Sequence, residues 1–279
     1  MIEVRDLSKS FDGRTVLHNM FAFFEAGKTN LIIGRSGSGK TVMLKSIIGL
    51  IRPDQGEVLY DGRNILKMGK TEVNHLRREM GVMFQGSALF DSMTVLENVM
   101  FPLDMFSQET AKERLVRAHF CLERVSLSDA QDLYPSEISG GMMKRAAIAR
   151  AIALQPKYLL CDEPNSGLDP KTALIIDELI SGITKEFNMT TVINTHDMNS
   201  VMNIGENIIF IKEGVKEWEG TKNRVISSGN SALQDFLFAS DLIRKASELD
   251  EQNSQLGIRN RGNRGSWGNC ACRRLNINH

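Results

Sequence analysis

The chain has 279 residues, 42% of them hydrophobic and 24% charged, with Lys plus Arg equal to Asp plus Glu at 34 each. These values exclude a disordered or fibrous chain, and the balanced charge gives no global field for nucleic acid as a main partner. Four cysteines are too few for a disulfide framework at this length, which fits a reducing compartment.

The opening Met1-Ile-Glu-Val-Arg-Asp alternates apolar and charged residues, unlike a secretory signal, and no later run reaches the roughly 18 apolar residues of a membrane span. Any membrane role is therefore expected from the cytoplasmic side, through another chain. Ile2 to Val4, Thr15 to Leu17 and Val58 to Tyr60 are short strand-like runs, and Asp61-Gly62 is a turn signal after the third; together they predict a small antiparallel layer. Leu31-Ile-Ile, Tyr158-Leu-Leu-Cys, Thr191-Val-Ile-Asn and Ile208-Ile-Phe-Ile are continuous apolar runs of the kind buried on both faces of a parallel sheet.

Between these runs lie segments with helical spacing, so the fold class expected is α/β. After Thr41 the apolar stripe is Met43, Leu44, Ile47, Ile48 and Ile51. A second helix is expected from Asp169-Pro170, an N-cap followed by proline, with a stripe at Leu174, Ile175, Leu179 and Ile183. From about Gly86 to Ala153 the periodicity is helical without a strand, which predicts an all-helical insertion. Residues 1–250 are expected to form one domain. From Glu251 onward five arginines stand against one glutamate and apolar periodicity ceases, so residues 251–279 are expected to be a disordered basic tail. Cys270-Ala-Cys272 in that tail supplies only half of a tetrahedral metal site.

The chemistry begins at Gly34-Arg35-Ser36-Gly37-Ser38-Gly39-Lys40-Thr41-Val42, which follows a strand and opens a helix. Glycines let successive N–H groups converge on a phosphate, and the helix points its positive end at the same anion. In such a loop Lys40 reaches the β- and γ-phosphates of ATP and Thr41 ligates Mg²⁺, on a P-loop NTPase core of mostly parallel sheet flanked by helices. Tyr158 to Cys161 runs into Asp162-Glu163; Asp162 is suited to the Mg²⁺ shell and Glu163 to orienting the attacking water.

Ser139-Gly140-Gly141-Met142 precedes Asp162 at the start of an amphipathic helix, and here the chain resembles the ATP-binding-cassette (ABC) ATPases. Phe11, the phosphate loop, Gln85, Ser139, Asp162-Glu163, Ser166-Gly-Leu-Asp169 and His196 follow that family's motif order. The resemblance implies a homodimer in which ATP on one subunit's phosphate loop is completed by the partner's Ser139 and Gly141. It implies Phe11 as the adenine-stacking aromatic, Gln85 as the switch glutamine near Mg²⁺, and His196 as the contact to the γ-phosphate. Met142 departs from the family's usual glutamine, and Gly167 from its commoner alanine.

Phe84-Gln-Gly-Ser-Ala-Leu-Phe90, Met93 to Leu103, and Ile138 to Ala147 are most similar to the Mla-type ATPases. That resemblance implies phospholipid transport through a separate polytopic permease, with a periplasmic lipid-binding protein beyond it. The expected location is peripheral, on the cytoplasmic face of the inner membrane. The Met-rich stretch Met93 to Met105 is expected either to dock the permease or to fill the helical core. Alternatives are an ATPase of a small-solute importer, a cassette acting on DNA or ribosomes, and an inert nucleotide-binding subunit. Glu163 and His196 argue against the last.

Overall fold

The computed structural model describes residues 1–225 and 227–237; the expectations for 251–279, the Cys270-Ala-Cys272 pair included, lie outside them. Two long strands open the chain, β1 (Ile2–Phe11) and β2 (Arg14–Phe24), followed by β3 (Thr29–Ile33) and helix α1 (Lys40–Ile48). Next come β4 (Gln55–Tyr60), β5 (Arg63–Asn64), α2 (Lys70–Arg78) and β6 (Met80–Met83). Three helices follow, α3 (Val95–Phe106), α4 (Ala111–Arg124) and α5 (Gly140–Ile152). The remaining labelled elements are β7 (Tyr158–Asp162), α6 (Pro170–Glu186), β8 (Thr190–Thr195), α7 (Met198–Ile204), β9 (Asn207–Lys212), β10 (Val215–Gly220) and α8 (Lys222–Val225).

The expected α/β architecture is present as two sheets. One is antiparallel, in the order β2-β1-β4-β5; the other runs β10-β9-β3-β8-β7-β6, parallel except for β10. Apolar faces of both sheets close on α1: Ile2, Val4, Met20 and Phe24 share a core with Met43, Ile47, Leu160 and Val192. Strands β3, β7 and β8 are buried at every residue, the physical reason they carry the apolar stretches Leu31 to Ile33, Tyr158 to Cys161 and Val192-Ile193.

Two helices differ from their expected apolar stripes. Helix α1 stops at Ile48, because Gly49 takes the left-handed conformation at φ 78° and its N–H returns to Lys45 and Ser46 carbonyls. Ile51 therefore lies beyond the helix. In α6 the buried face is Ala173, Ile176, Ile180 and Ile183, with Asp177 and Thr184, whereas Leu174 and Ile175 are 41% and 50% exposed. The proline-started helix is there, but an apolar pair facing outward shifted the apparent stripe. Strand β10, which the sequence pattern did not predict, alternates exposed and half-buried residues after a Glu213-Gly214 turn in which both φ values are positive.

Between β6 and β7 the described backbone is helical. Helices α3 and α4 each open on a threonine, Thr94 and Thr110, whose hydroxyl accepts from the N–H of Glu97 or Glu113 while that glutamate accepts from the threonine N–H. Such reciprocal capping contributes about 1 kcal/mol per helix end. Asn98, fully buried, accepts from Phe90 N–H and donates to the carbonyls of Phe90, Met93 and Thr94, fixing the loop that leads out of β6.

Candidate functional site

The parallel sheet places four chain segments at one edge. Strands β3, β8, β7 and β6 are adjacent and parallel, so their C-terminal ends converge, with Ile33 beside Thr195, Asp162 beside Asn194 and Met83 beside Cys161. Crevices at the carboxyl ends of parallel strands are where α/β folds bind ligands. The phosphate loop leaves β3, Gln85 lies two residues past β6, Glu163 one past β7 and His196 one past β8.

The loop from Gly34 to Gly39 closes on its own lysine. Lys40, 5% exposed, donates from Nζ to the carbonyls of Gly34 at 2.8 Å and Arg35 at 3.0 Å. Burial lowers the pKa of this ammonium, opposed by the charges of Glu163 and Asp162. A side chain at Gly34 is blocked, since its Cβ would lie 2.2 Å from the Ile211 carbonyl oxygen; Gly37 holds φ at 79°, in the left-handed region that favours glycine. Arg35, Ser36 and Gly37 are exposed, Ser38 is buried, and Val42 is half-buried on the first turn of α1. Helix α1 has no side-chain cap at Gly39, which leaves its first N–H groups free to face an anion.

Facing the loop, Asp162 accepts at Oδ1 from the buried Asn194 amide at 3.0 Å and from the Thr41 hydroxyl at 3.4 Å. Glu163 stands at φ 47°, an uncommon conformation for a non-glycine residue, with its N–H on the Asn194 carbonyl at 3.0 Å. Its carboxylate is held from both sides, by Gln85 Nε2 at 3.1 Å on Oε2 and by His196 Nδ1 at 3.0 Å on Oε1. Six of the residues selected from sequence, Lys40, Thr41, Gln85, Asp162, Glu163 and His196, thus form one site.

Ser139, Gly140 and Gly141 stand apart from it. Ser139 is the N-cap of α5, its Oγ accepting from Met142 N–H at 3.3 Å, and it is exposed along with Gly140. Among the described residues no hydrogen bond links these three to the phosphate loop. Phe11 is likewise separate, 42% exposed, with Lys9 Nζ 5.2 Å from its ring centre.

Three residues at the site escaped sequence reasoning. Asn194 sat unremarked inside an apolar strand run, although a polar residue in a buried strand needs a partner, and that need was the available signal. Lys144, 6% exposed on α5, donates to the Gln85 carbonyl and lies 3.5 Å from the Ser166 hydroxyl. Burial lowers its pKa too, against the charge of Glu163. Arg150 donates to the Ser87 and Ala88 carbonyls at 2.8 Å, anchoring the loop after Gln85.

The residues fit a Mg²⁺ nucleotide. Ser38 Oγ is buried without a hydrogen-bond partner, pointing to unmet capacity in the phosphate cradle. Among the described residues no group of three or more His, Cys, Asp or Glu could hold a metal by itself. One hydroxyl and one carboxylate, Thr41 and Asp162, match an ion that is bound jointly with substrate phosphates rather than by an all-protein cage.

The comparisons place the chain in a family. Residues 17–166 match the family model described as ABC transporter. The intermembrane phospholipid transport system ATP-binding protein MlaF of Haemophilus influenzae is 37% identical over 239 residues, covering 85% of this chain and 90% of that relative. A probable ribonucleotide transport ATP-binding protein, mkl, of Mycobacterium leprae is 36% identical over 236 residues, 85% of this chain and 68% of that one. The dimeric structure of MJ0796, titled a bacterial ABC transporter cassette, superimposes with a TM-score of 0.73 at 35% identity over 80% of this chain and 99% of that chain. The same cassette has been solved as a dimer in a post-hydrolysis state bound to ADP and Pi.

The chain belongs to the ABC transporter family, and within it is an ATP-binding cassette, the ATPase domain. No helix among the described residues is long and apolar enough to cross a membrane.

Proposed function

We propose that this cassette hydrolyses Mg²⁺-ATP as a head-to-tail homodimer and drives phospholipid movement through a separate polytopic permease, from the cytoplasmic face of the inner membrane. The observation that carries the reading is the separation of two half-sites. Lys40, Thr41, Asp162, Glu163, Gln85 and His196 converge, while the Ser139 helix start, with its hydroxyl and backbone N–H groups, makes no hydrogen bond to them in the same chain. A second copy, turned head to tail, supplies those donors to the γ-phosphate.

Each residue has a defined task in this reading. The phosphate loop from Gly34 to Gly39 binds the phosphates through its backbone, Lys40 leaves the Gly34 and Arg35 carbonyls for the β- and γ-phosphates, and Phe11 stacks on the adenine. Thr41, Asp162 and Gln85 hold Mg²⁺, which when bound neutralises charge developing on the phosphate oxygens. Glu163 orients the attacking water and accepts its proton, with Gln85 and His196 fixing the carboxylate; on γ-phosphate arrival His196 turns its free ring nitrogen toward it.

Phospholipid is favoured as cargo by the similarity to the MlaF proteins of Haemophilus influenzae and of Escherichia coli K12, the latter 36% identical over 237 residues. With that cargo the partners are the permease and, through it, a periplasmic lipid-binding protein. The mkl similarity at 36% supports a second reading, a nucleotide or other small solute carried by the same machinery. Detergent-solubilised native membranes are the test: the tagged protein is captured and its co-purifying proteins and lipids are identified by mass spectrometry. A polytopic protein with enriched phospholipid and an envelope lipid-binding protein supports the proposal; a permease with a soluble solute-binding protein and no lipid enrichment overturns it in favour of the second reading.

A further inference from the structure

Beneath the site, helix α6 carries an aspartate in the middle of its buried face. Asp177 is 1% exposed and meets two loops at once. Asn165 donates from Nδ2 both to Asp177 Oδ1 at 2.6 Å and to Ser200 Oγ at 3.1 Å, and Ser200 lies beside the Asp177 carboxylate. Asn165 sits two residues after Glu163, in a tight turn where Ser166 N–H returns to the Glu163 carbonyl and Leu168 N–H to that of Asn165. Ser200, also 1% exposed, sits on α7 four residues after His196.

We infer that Asp177 is a positioning residue for hydrolysis, which ties the turn carrying Glu163 and the loop carrying His196 to one rigid helix and so sets the distance between them. The inference rests on the catalytic reading of Glu163 and His196 given above.

The physical case has three parts. A buried carboxylate is costly and persists where its bonds offset the desolvation; a leucine or valine at position 177 would fill the same buried face without that cost. Glu163 holds an uncommon backbone conformation, φ 47°, which persists only where its surroundings over-determine it; the Asn165 bond supplies such a restraint. The Glu163–His196 hydrogen bond joins side chains on separate loops that leave β7 and β8, and Asp177 with Asn165 and Ser200 joins the same two loops a second time, below the first contact. Two links between two loops remove the hinge freedom that one alone permits.

An asparagine can replace the aspartate chemically. Asn165 Oδ1 is buried without a partner, so Asp177→Asn can accept from Asn165 Nδ2 and donate back to Asn165 Oδ1. Asp177→Ala can do neither.

The full-length chain tests this by hydrogen exchange without nucleotide and by steady-state hydrolysis with it. In Asp177→Ala, amides of 163–168 and 196–201 are expected to exchange at least tenfold faster, while β1 and β2 exchange as in the parent. Its kcat is expected to fall about tenfold with KM for ATP and the affinity for a fluorescent ATP analogue within about twofold of the parent, the signature of lost geometry rather than lost binding. Asp177→Asn is expected to restore both readouts. Unchanged exchange in the two segments, or exchange raised evenly across the chain with KM and affinity failing alongside kcat, overturns the inference. The exchange result stands whichever way the catalytic reading falls: hydrolysis persisting in Glu163→Gln would refute that reading and leave the linkage to be judged on exchange alone.

Discussion

His196 Nδ1 lies 3.0 Å from Glu163 Oε1, while Gln85 Nε2 lies 3.1 Å from the other oxygen of the same carboxylate. A carboxylate held from both sides has little rotational freedom, which is what orientation of a single water demands. Glu163→Gln keeps the shape and removes the base. It is expected to lower kcat by roughly 10²- to 10⁴-fold while ATP binding persists and the ATP-bound dimer accumulates. Steady-state hydrolysis with size-exclusion chromatography in ATP checks both; turnover equal to the parent would refute the assignment.

The partner's contribution can be isolated by complementation. Lys40→Ala disables one phosphate loop and Ser139→Ala one signature, so each homodimer lacks every complete site. A mixed dimer regains one intact site, Lys40 of one chain facing Ser139 of the other. Hydrolysis absent from each variant alone is expected to reappear on mixing. No recovery, with mixed dimers demonstrated, would count against the head-to-tail site.

Asn194 donates to Asp162 Oδ1 from inside the sheet, at a position with no exposure. Asn194→Ala leaves Asp162 Oδ1 with only the longer Thr41 hydroxyl contact at 3.4 Å, at a cost of about 1 to 3 kcal/mol. A lower melting temperature without nucleotide is expected, together with a higher Mg²⁺ concentration for half-maximal hydrolysis. A melting temperature within error of the parent would show that the bond carries no stability.

The Asp177 carboxyl is pushed up to about 6 from an ordinary 3.8, by burial first, with Asp197 and Glu178 adding and the Ser200 and Asn165 bonds opposing. A raised acid favours the neutral form in the fold, so the stability it confers is complete below the ordinary carboxylate value and is lost as pH rises through about 6. Asp177→Asn removes that dependence and is expected to exceed the parent in stability at pH 7.5 by up to about 3 kcal/mol. Urea unfolding midpoints between pH 4 and pH 7.5 provide the check; parallel curves for the two proteins would refute it.

The rings of Phe90 and Phe101 meet at 4.7 Å, with the Arg150 guanidinium 5.9 Å from the Phe90 ring centre. Phe90 is still 40% exposed, so one face is left for a partner. The double substitution Phe90→Ala and Phe101→Ala is expected to weaken permease capture from membranes while shifting the melting temperature by only a few degrees, about 1 kcal/mol being the worth of one such ring pair. A large fall in melting temperature with capture intact would make the pair part of the core instead.

The sequence by itself determined the parts that depend on local chemistry. Glycine spacing and Lys40-Thr41 after an apolar strand marked the phosphate loop, Asp162-Glu163 ended a strand, and Asp169-Pro170 started a helix, because turns, caps and buried strands are specified within a few residues. Only the tertiary structure decided what those parts meet. The lateral order β3-β8-β7-β6 brings Gln85 and His196 to opposite sides of Glu163, and no local pattern encodes which strands become neighbours. Asn194, Lys144 and Asp177 were silent for the same reason: each is a polar residue in an apolar segment, and its partner lies on another element. Leu174 and Ile175 misled in the opposite direction, since helical periodicity records which residues are apolar but not which face the sheet will cover.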